Sequence, residues 1–212
     1  MSNPVLHYIY DPLCGWCYGA APLVAAAREV VGVLAHGGGM MAGTNRRPVT
    51  PQLRGYVAPH DRRIAELTGQ TFGERYSNGL LLDTSAVLDS EPPISAILAA
   101  EQIASRGLDM LALLQVAHYV EGRRIADRAV LVALAEELGL EPQAFQQAFE
   151  QVDGEVTQRH IRESRALLGQ LGAHGFPSFA LEQDGRFSLI DIGTHLGRPQ
   201  DWQAWLRAQA IG

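Results

Sequence analysis

The chain has 212 residues, of which 47% are hydrophobic and 19% are charged. This composition supports one folded domain, or one domain with a large insertion, and excludes a disordered chain. The formal net charge is −6 and the arginines form pairs rather than long basic runs, so nucleic acid is not expected as a partner. The N-terminus has no cationic, apolar leader and no membrane-length apolar run. It therefore predicts a cytoplasmic protein with no membrane partner.

The first fifty residues predict a β-α-β unit. Residues 5–10 are a short apolar strand, which Asp11-Pro12 ends. After Cys14, apolar residues recur at helical spacing to residue 31, and Gly32 is expected to end that helix. A brief second strand follows at residues 33–36, before three consecutive glycines. The cysteine motif thus lies at the first strand-to-helix turn.

The middle of the chain predicts helices and no strand alternation. Their expected bounds are 94–106, 109–120, 128–138 and 143–150. The end of the chain returns to mixed character, with Asp184-Gly185 as a hairpin signal between two apolar runs. The elements expected there are a helix at 155–171, strands at 178–182 and 187–192, and a closing helix at 199–210. This order predicts an α/β domain interrupted by a helical insertion.

The two cysteines of the chain, Cys14 and Cys17, form a C-x-x-C motif at the predicted start of a helix. Unpaired N–H groups and the helix dipole favour a thiolate at Cys14, which can attack a disulfide. Cys17, nearly one turn further on, can then attack Cys14 and release the product. Trp16, between them, offers an apolar surface to a substrate.

The same motif is also half of a zinc site. The chain has no third cysteine, and its seven histidines are scattered without a metal-ligand spacing, so no metal is expected. A second candidate feature is Phe176-Pro177, which precedes a predicted strand. Proline suits a strand start, and from the residues alone a trans bond is the better expectation.

The segments "DPLCGWCYG" and "GFPSFAL", in this order of elements, make the whole chain resemble the DsbA-like branch of the thioredoxin superfamily, and within it the cytosolic, FrnE-like members. The resemblance implies that Cys14 is the nucleophile and Cys17 the resolving thiol. It implies a cis bond at Pro177 beside the thiols, with backbone groups of Phe176 available to substrate. No cofactor is implied beyond the redox-active pair, although glutathione is a possible co-substrate.

The implied fold is a thioredoxin fold with an inserted α-helical domain. The thioredoxin part would comprise residues 1–49 and 153–212, and the insertion residues 50–152. The implied function is that of a thiol:disulfide oxidoreductase, with isomerase activity possible, acting on disulfide- or thiol-containing proteins or on small thiols.

Two alternatives stay open. Kappa-class glutathione transferases and 2-hydroxychromene-2-carboxylate isomerases share the architecture, but have serine where Cys14 stands. A binding or chaperone module with idle thiols is the other alternative.

Overall fold

The computed structural model describes residues 3–211, and its secondary structure alternates between a sheet and a large set of helices. The first elements are β1 (Val5–Tyr10), α1 (Gly15–Gly19), α2 (Ala21–Arg28) and β2 (Gly32–Gly37). The middle elements are β3 (Arg47–Pro48), α3 (Pro51–Thr68), α4 (Glu74–Ser77), β4 (Val87–Leu88), α5 (Glu91–Ala104), α6 (Gly107–Tyr119), α7 (Arg128–Glu137) and α8 (Pro142–Val152). The last are α9 (Glu155–Gln170), β5 (Ser178–Gln183), β6 (Arg186–Ile190) and α10 (Pro199–Ile211).

The main sheet has the strand order β2-β1-β5-β6. Strands β1 and β2 are parallel, because α1 and α2 carry the chain back to the starting edge. Strand β5 is antiparallel to β1, with Ser178 opposite Ile9. The residues just before β5 therefore lie at the same end of the sheet as the residues just after β1. The segment that follows β1 and the segment that precedes β5, which are far apart in sequence, therefore meet at one end of the sheet.

One face of the sheet carries the larger aromatic core. The Tyr8 ring stacks on Phe179 with centroids 4.7 Å apart, and Phe179 meets Trp202 of α10 edge-on at 6.0 Å. Trp202 is fully buried, and its Nε1–H donates to the Leu23 carbonyl at 3.0 Å. That bond satisfies the one polar group of the indole, so its burial carries no unpaired donor. The core thereby fixes α2 and α10 against the strand that leads to the cysteines.

The helices α3 to α8 form the helical insert, between β2 and α9. Their packing centres on α5, which contacts α6, α7 and α8. The predicted boundaries here are close to those observed; Gly139, with φ of 81°, follows the end of α7, and Pro142 begins α8. Proline suits this first helical position because its missing N–H would have no helical partner there. One expectation is wrong: β4, which lies in the region predicted to lack strands, forms a two-residue antiparallel pair with β3, just before that region.

The helix predicted after Cys14 is also wrong in detail, because the chain forms two helices with a break at Ala20. Pro22 explains the break, since it lacks the N–H that a continuous helix would require. The second helix ends at Arg28, and Gly32 begins β2 instead of ending the helix. The turn that holds the cysteines is consequently a short unit of its own.

Of the helices within residues 3–211, none combines the length and the apolar character needed to cross a membrane.

Candidate active site

Cys14 and Cys17 lie at the start of α1, as predicted. Cys14 is the N-cap residue, with extended backbone angles, and the Cys17 N–H donates to its Sγ at 3.4 Å. This N–H is placed to donate to the sulfur once the thiolate forms. Because α1 has only five residues, this local donor matters more here than the dipole of a long helix.

The two thiols differ in access. Both are free, but Cys14 is 6% exposed and Cys17 is 0% exposed. Burial raises the pKa of the Cys17 thiol well above its ordinary value, and the hydrogen bond with Cys14 raises it further. Only Cys14 thus has any surface through which an external disulfide could be attacked. Cys17 is placed to react within the protein.

The Phe176–Pro177 peptide bond is cis, which confirms the expectation drawn from the resemblance. The Cys14 thiol donates to the Phe176 carbonyl at 3.4 Å, so this peptide lies directly beside the motif. That the Phe176 carbonyl is available to substrate stays a prediction, and in this structure the carbonyl accepts from the Cys14 thiol. The Phe176 N–H has no hydrogen-bond partner within residues 3–211 and is available to a substrate strand.

The aromatic ring of Phe176 rests on the backbone of Gly38. A Cβ added at Gly38 would lie 2.2 Å from two atoms of that ring, so no larger residue fits without displacing it. The Gly38 N–H donates to the Tyr10 carbonyl at 2.7 Å, and its carbonyl accepts from Arg165 Nε at 2.7 Å. This segment is therefore held from both sides while it supports Phe176.

Asp11 connects the motif to the rest of the protein and was not identified as a site residue from the sequence. Its carboxylate is 0% exposed and accepts from the Leu13 N–H at 2.8 Å, the Met40 N–H at 2.5 Å and the Ser90 hydroxyl at 3.0 Å. Burial raises its pKa to about 6, although these three hydrogen bonds act in the opposite direction. In the sequence, the one indication of its role is that a charged residue directly follows the apolar run of residues 5–10.

The helical insert also contacts the cysteine turn through α3. A Cβ added at Gly15 would lie 3.1 Å from Ile64 Cδ1 and 3.3 Å from Asp61 Oδ1. Asp61 accepts from the Tyr76 hydroxyl at 3.1 Å, and burial raises its pKa to about 6. Trp16, the apolar residue between the cysteines, is partly buried and packs against the core. The contact of Trp16 with substrate, expected from its place between the cysteines, stays a prediction.

A metal site needs more donors than the cysteine pair supplies. No group of three or more histidine, cysteine or acidic side chains in the described part of the chain is arranged to hold a metal ion. The zinc alternative therefore has no complete ligand set within residues 3–211.

Comparison with known proteins defines the class to which this fold and site belong. A sheet of this order, a helical insert and a C-x-x-C turn beside a cis-proline are features of a thioredoxin-fold thiol–disulfide oxidoreductase. Residues 5–194 match the family model of the DSBA-like thioredoxin domain. The chain belongs to that family, and its fold is a thioredoxin fold with a helical insertion, as predicted.

Several solved structures are similar along their whole length. The cytosolic disulfide reductase DsbM from Pseudomonas aeruginosa is 57% identical, with 97% of this chain and 98% of that chain covered and a TM-score of 0.92. A second structure of DsbM, with GSH, is 54% identical over 98% of this chain and 100% of that chain, also with a TM-score of 0.92. A candidate protein disulfide isomerase from Nitrosomonas europaea is 27% identical over 99% of this chain and 98% of that chain, with a TM-score of 0.78. The search of curated proteins found no match.

Proposed function

We propose that the protein is a cytosolic disulfide reductase that takes its electrons from glutathione. The observation that carries this proposal is the 57% identity, over nearly the whole chain, with the cytosolic disulfide reductase DsbM. The second structure of that protein, with GSH, supports glutathione as the reductant. Cys14 retains 6% of its surface for contact with a substrate, whereas Cys17 is fully buried and can react only within the protein. This difference supports a dithiol mechanism.

The reaction would begin with the Cys14 thiolate, stabilised by the Cys17 N–H at 3.4 Å. Its sulfur attacks one sulfur of the substrate disulfide, and the other substrate sulfur leaves as a thiolate that takes up a proton. The product is a mixed disulfide between Cys14 and the substrate. The unpaired Phe176 N–H would hold the substrate backbone beside this bond.

The second step would use Cys17. Once deprotonated, its sulfur attacks Cys14, the mixed disulfide breaks, and the second substrate thiol is released with a proton. The dithiol has then given two electrons and become the Cys14–Cys17 disulfide. Two glutathione molecules would restore it, through a mixed disulfide with glutathione, and leave as glutathione disulfide.

Turnover of 2-hydroxyethyl disulfide, coupled through glutathione reductase to NADPH oxidation, tests the proposal. We expect glutathione-dependent turnover in the wild type and none in Cys14→Ser. The reduction potential of the pair should lie near the cytosolic glutathione poise of about −220 to −260 mV, because glutathione must reduce the pair and the pair must reduce the substrate. A potential near that of disulfide isomerases, about −180 mV, would contradict a reductase and favour isomerase activity.

The same preparations distinguish the alternatives. A glutathione transferase would conjugate glutathione to 1-chloro-2,4-dinitrobenzene, and that activity would survive Cys17→Ser. A binding module would bind its partners equally well in Cys14→Ser. Either result, with no disulfide turnover by the wild type, would refute the proposed function.

A further inference from the structure

A pocket of about 760 Å³ opens between α3 and the segment from α4 to residue 84. Its walls are largely apolar and include Ala58, Phe72 and Leu81, while Leu82, also in its lining, leaves 53% of its surface exposed. The volume lies within the range of about 300 to 1,000 Å³ that is usual for ligand sites. An apolar side chain could therefore enter it.

Residues that line this pocket contact the helix that carries the cysteines. Asp61, in its lining, is the residue whose Oδ1 lies 3.3 Å from a Cβ added at Gly15. On the same side, Gln70 Nε2 donates to the Tyr18 carbonyl at 2.8 Å, and the Tyr18 hydroxyl donates to the Thr71 carbonyl at 2.9 Å. An extended chain advances about 3.3 to 3.6 Å per residue, so a peptide joined to Cys14 needs only a few residues to reach the pocket.

The charge of this region is opposite to that of the whole protein. Residues 46–63 contain five arginines and one aspartate, a net charge of +4, whereas the rest of the chain contains twelve arginines and 22 acidic residues, a net charge of −10. Arg54 and Arg62 line the pocket. Neither forms an ion pair within residues 3–211. The side chain of Arg54 donates one hydrogen bond, to Asn78 Oδ1 at 3.3 Å. The following arginines elsewhere do pair with carboxylates: Arg28, Arg106, Arg123, Arg124 and Arg128.

The position of Asp61 sets where an anion could lie. It is the single carboxylate among the described residues that line the pocket, it is 9% exposed, and it accepts the Tyr76 hydroxyl. A second carboxylate beside it would be repelled. The two arginines, in contrast, are free to bind a carboxylate through their planar guanidinium groups. The pocket thus combines apolar walls with two unpaired cations.

We propose that this pocket binds an acidic segment of a protein substrate, within a few residues of the cysteine under attack. An aromatic or aliphatic side chain of the segment fills the apolar cavity, and neighbouring Asp or Glu side chains pair with Arg54 and Arg62. The proposal rests on the proposed disulfide-reductase function and names the substrate class that this function serves. The Phe176 N–H then holds the substrate on one side of Cys14, and the pocket holds it on the other.

The test compares the reduction of three peptides by the reduced protein. Each peptide has cysteine in mixed disulfide with 2-mercaptoethanol, followed by glycine and phenylalanine, and ends in Glu-Glu, Gln-Gln or Lys-Lys. We expect kcat/KM to fall in that order. In R54Q/R62Q the Glu-Glu peptide should lose about tenfold, at about threefold for each exposed ion pair, and the Lys-Lys peptide should lose nothing.

Two further variants separate the contributions. Arg207→Gln removes one exposed arginine outside the pocket, and the preference among the peptides should be unchanged. Gly55→Trp fills the pocket without changing its charge, because Gly55 lines it and a Cβ there meets nothing within 4 Å. A fourth peptide has alanine in place of the phenylalanine of the Glu-Glu peptide. The wild type should reduce it more slowly than the Glu-Glu peptide, and Gly55→Trp should lose that difference. The rate with 2-hydroxyethyl disulfide, which is neutral and too small to reach the pocket, should be unchanged in all of these variants.

A binding measurement distinguishes failure of this inference from failure of the proposed function. A fluorescent Glu-Glu peptide with serine in place of cysteine should bind the wild type and lose affinity in R54Q/R62Q, whether or not the protein turns over disulfides. Equal rates for the Glu-Glu and Lys-Lys peptides, or equal binding by wild type and R54Q/R62Q, would overturn the inference. Tighter binding of a single-stranded DNA oligonucleotide than of the peptide, lost in the same variant, would also overturn it and indicate a nucleic-acid site.

Discussion

Replacing Gly38 by alanine tests whether the support beneath Phe176 determines the geometry of the thiol site. The added Cβ would lie 2.2 Å from Phe176 Cε1 and Cζ, whereas carbon atoms in contact are about 3.5 to 4.0 Å apart. The ring must therefore retreat by more than about 1 Å. Overpacking of this kind typically costs about 1 to 3 kcal/mol, and we expect the free energy of unfolding to fall by that amount.

The effect on chemistry should exceed the effect on stability. The Phe176 carbonyl accepts from the Cys14 thiol, so a displaced Phe176 weakens this contact and changes the surroundings of the sulfur. We expect slower disulfide exchange, measured by stopped-flow fluorescence, together with faster alkylation of Cys14 by iodoacetamide. Denaturant unfolding gives the accompanying loss of stability.

Two controls make the reasoning falsifiable. Gly169→Ala, in α9, places a Cβ where nothing lies within 4 Å and should leave the exchange rate unchanged, while stabilising the helix by up to about 1 kcal/mol. In a Phe176→Ala background, Gly38→Ala should be nearly neutral, because the clashing ring is absent. If Gly38→Ala is equally costly with and without the Phe176 ring, the contact between them is not the cause.

Three other predictions follow from the site. In Cys17→Ser, a mixed disulfide on Cys14 should accumulate because the resolving thiol is absent; mass spectrometry of the quenched reaction checks this, and rapid release of product would contradict it. The folded-state pKa of Asp11 is about 6 against an ordinary 3.8, so its stabilising contribution is complete below pH 3.8 and is lost as pH rises through 6. The stability of the wild type relative to Asp11→Asn should therefore fall by about 2 kcal/mol between pH 4 and pH 7 in urea unfolding, and a difference that grows with pH would oppose the burial argument. Tyr76→Phe removes a hydrogen bond that lowers the pKa of Asp61, so that pKa should rise, as followed by carbonyl NMR; no change would show that the bond is not maintained in solution.

The features predicted correctly from the sequence are those determined by neighbouring residues. The apolar run of residues 5–10 predicts β1 with its observed bounds, and Asp184-Gly185 forms the β5–β6 turn with φ of 50° and 74°. The C-x-x-C motif likewise lies at its expected strand-to-helix turn. The cis bond before Pro177 came from the resemblance, since the residues alone favour trans.

The unpredicted features depend on contacts between distant segments. Asp11 meets Ser90 across 79 positions, and Arg165 meets Gly38 across 127. No local period or spacing encodes such a pairing, because hydrophobic periodicity reports only which face of an element is buried. The break in the helix at Ala20 is different: Pro22 was visible in the sequence and disfavours a continuous helix. Pro59, however, lies inside the continuous helix α3, so a proline alone does not determine where a helix breaks.

The helical insert contacts the cysteine turn and the residue before it, and two of these contacts involve buried carboxyl groups. Ser90, at the start of α5, donates to Asp11 just before the motif, while Asp61 of α3 lies against Gly15 within it. Both carboxyl groups are buried and both have a pKa raised to about 6, so each retains an unfavourable charge near neutral pH. Burial of such groups is tolerated where their hydrogen bonds fix a geometry that apolar packing would leave loose. The insert and the sheet together thereby fix the position of the turn. A change in the insert can therefore alter the position of Cys14 through these contacts.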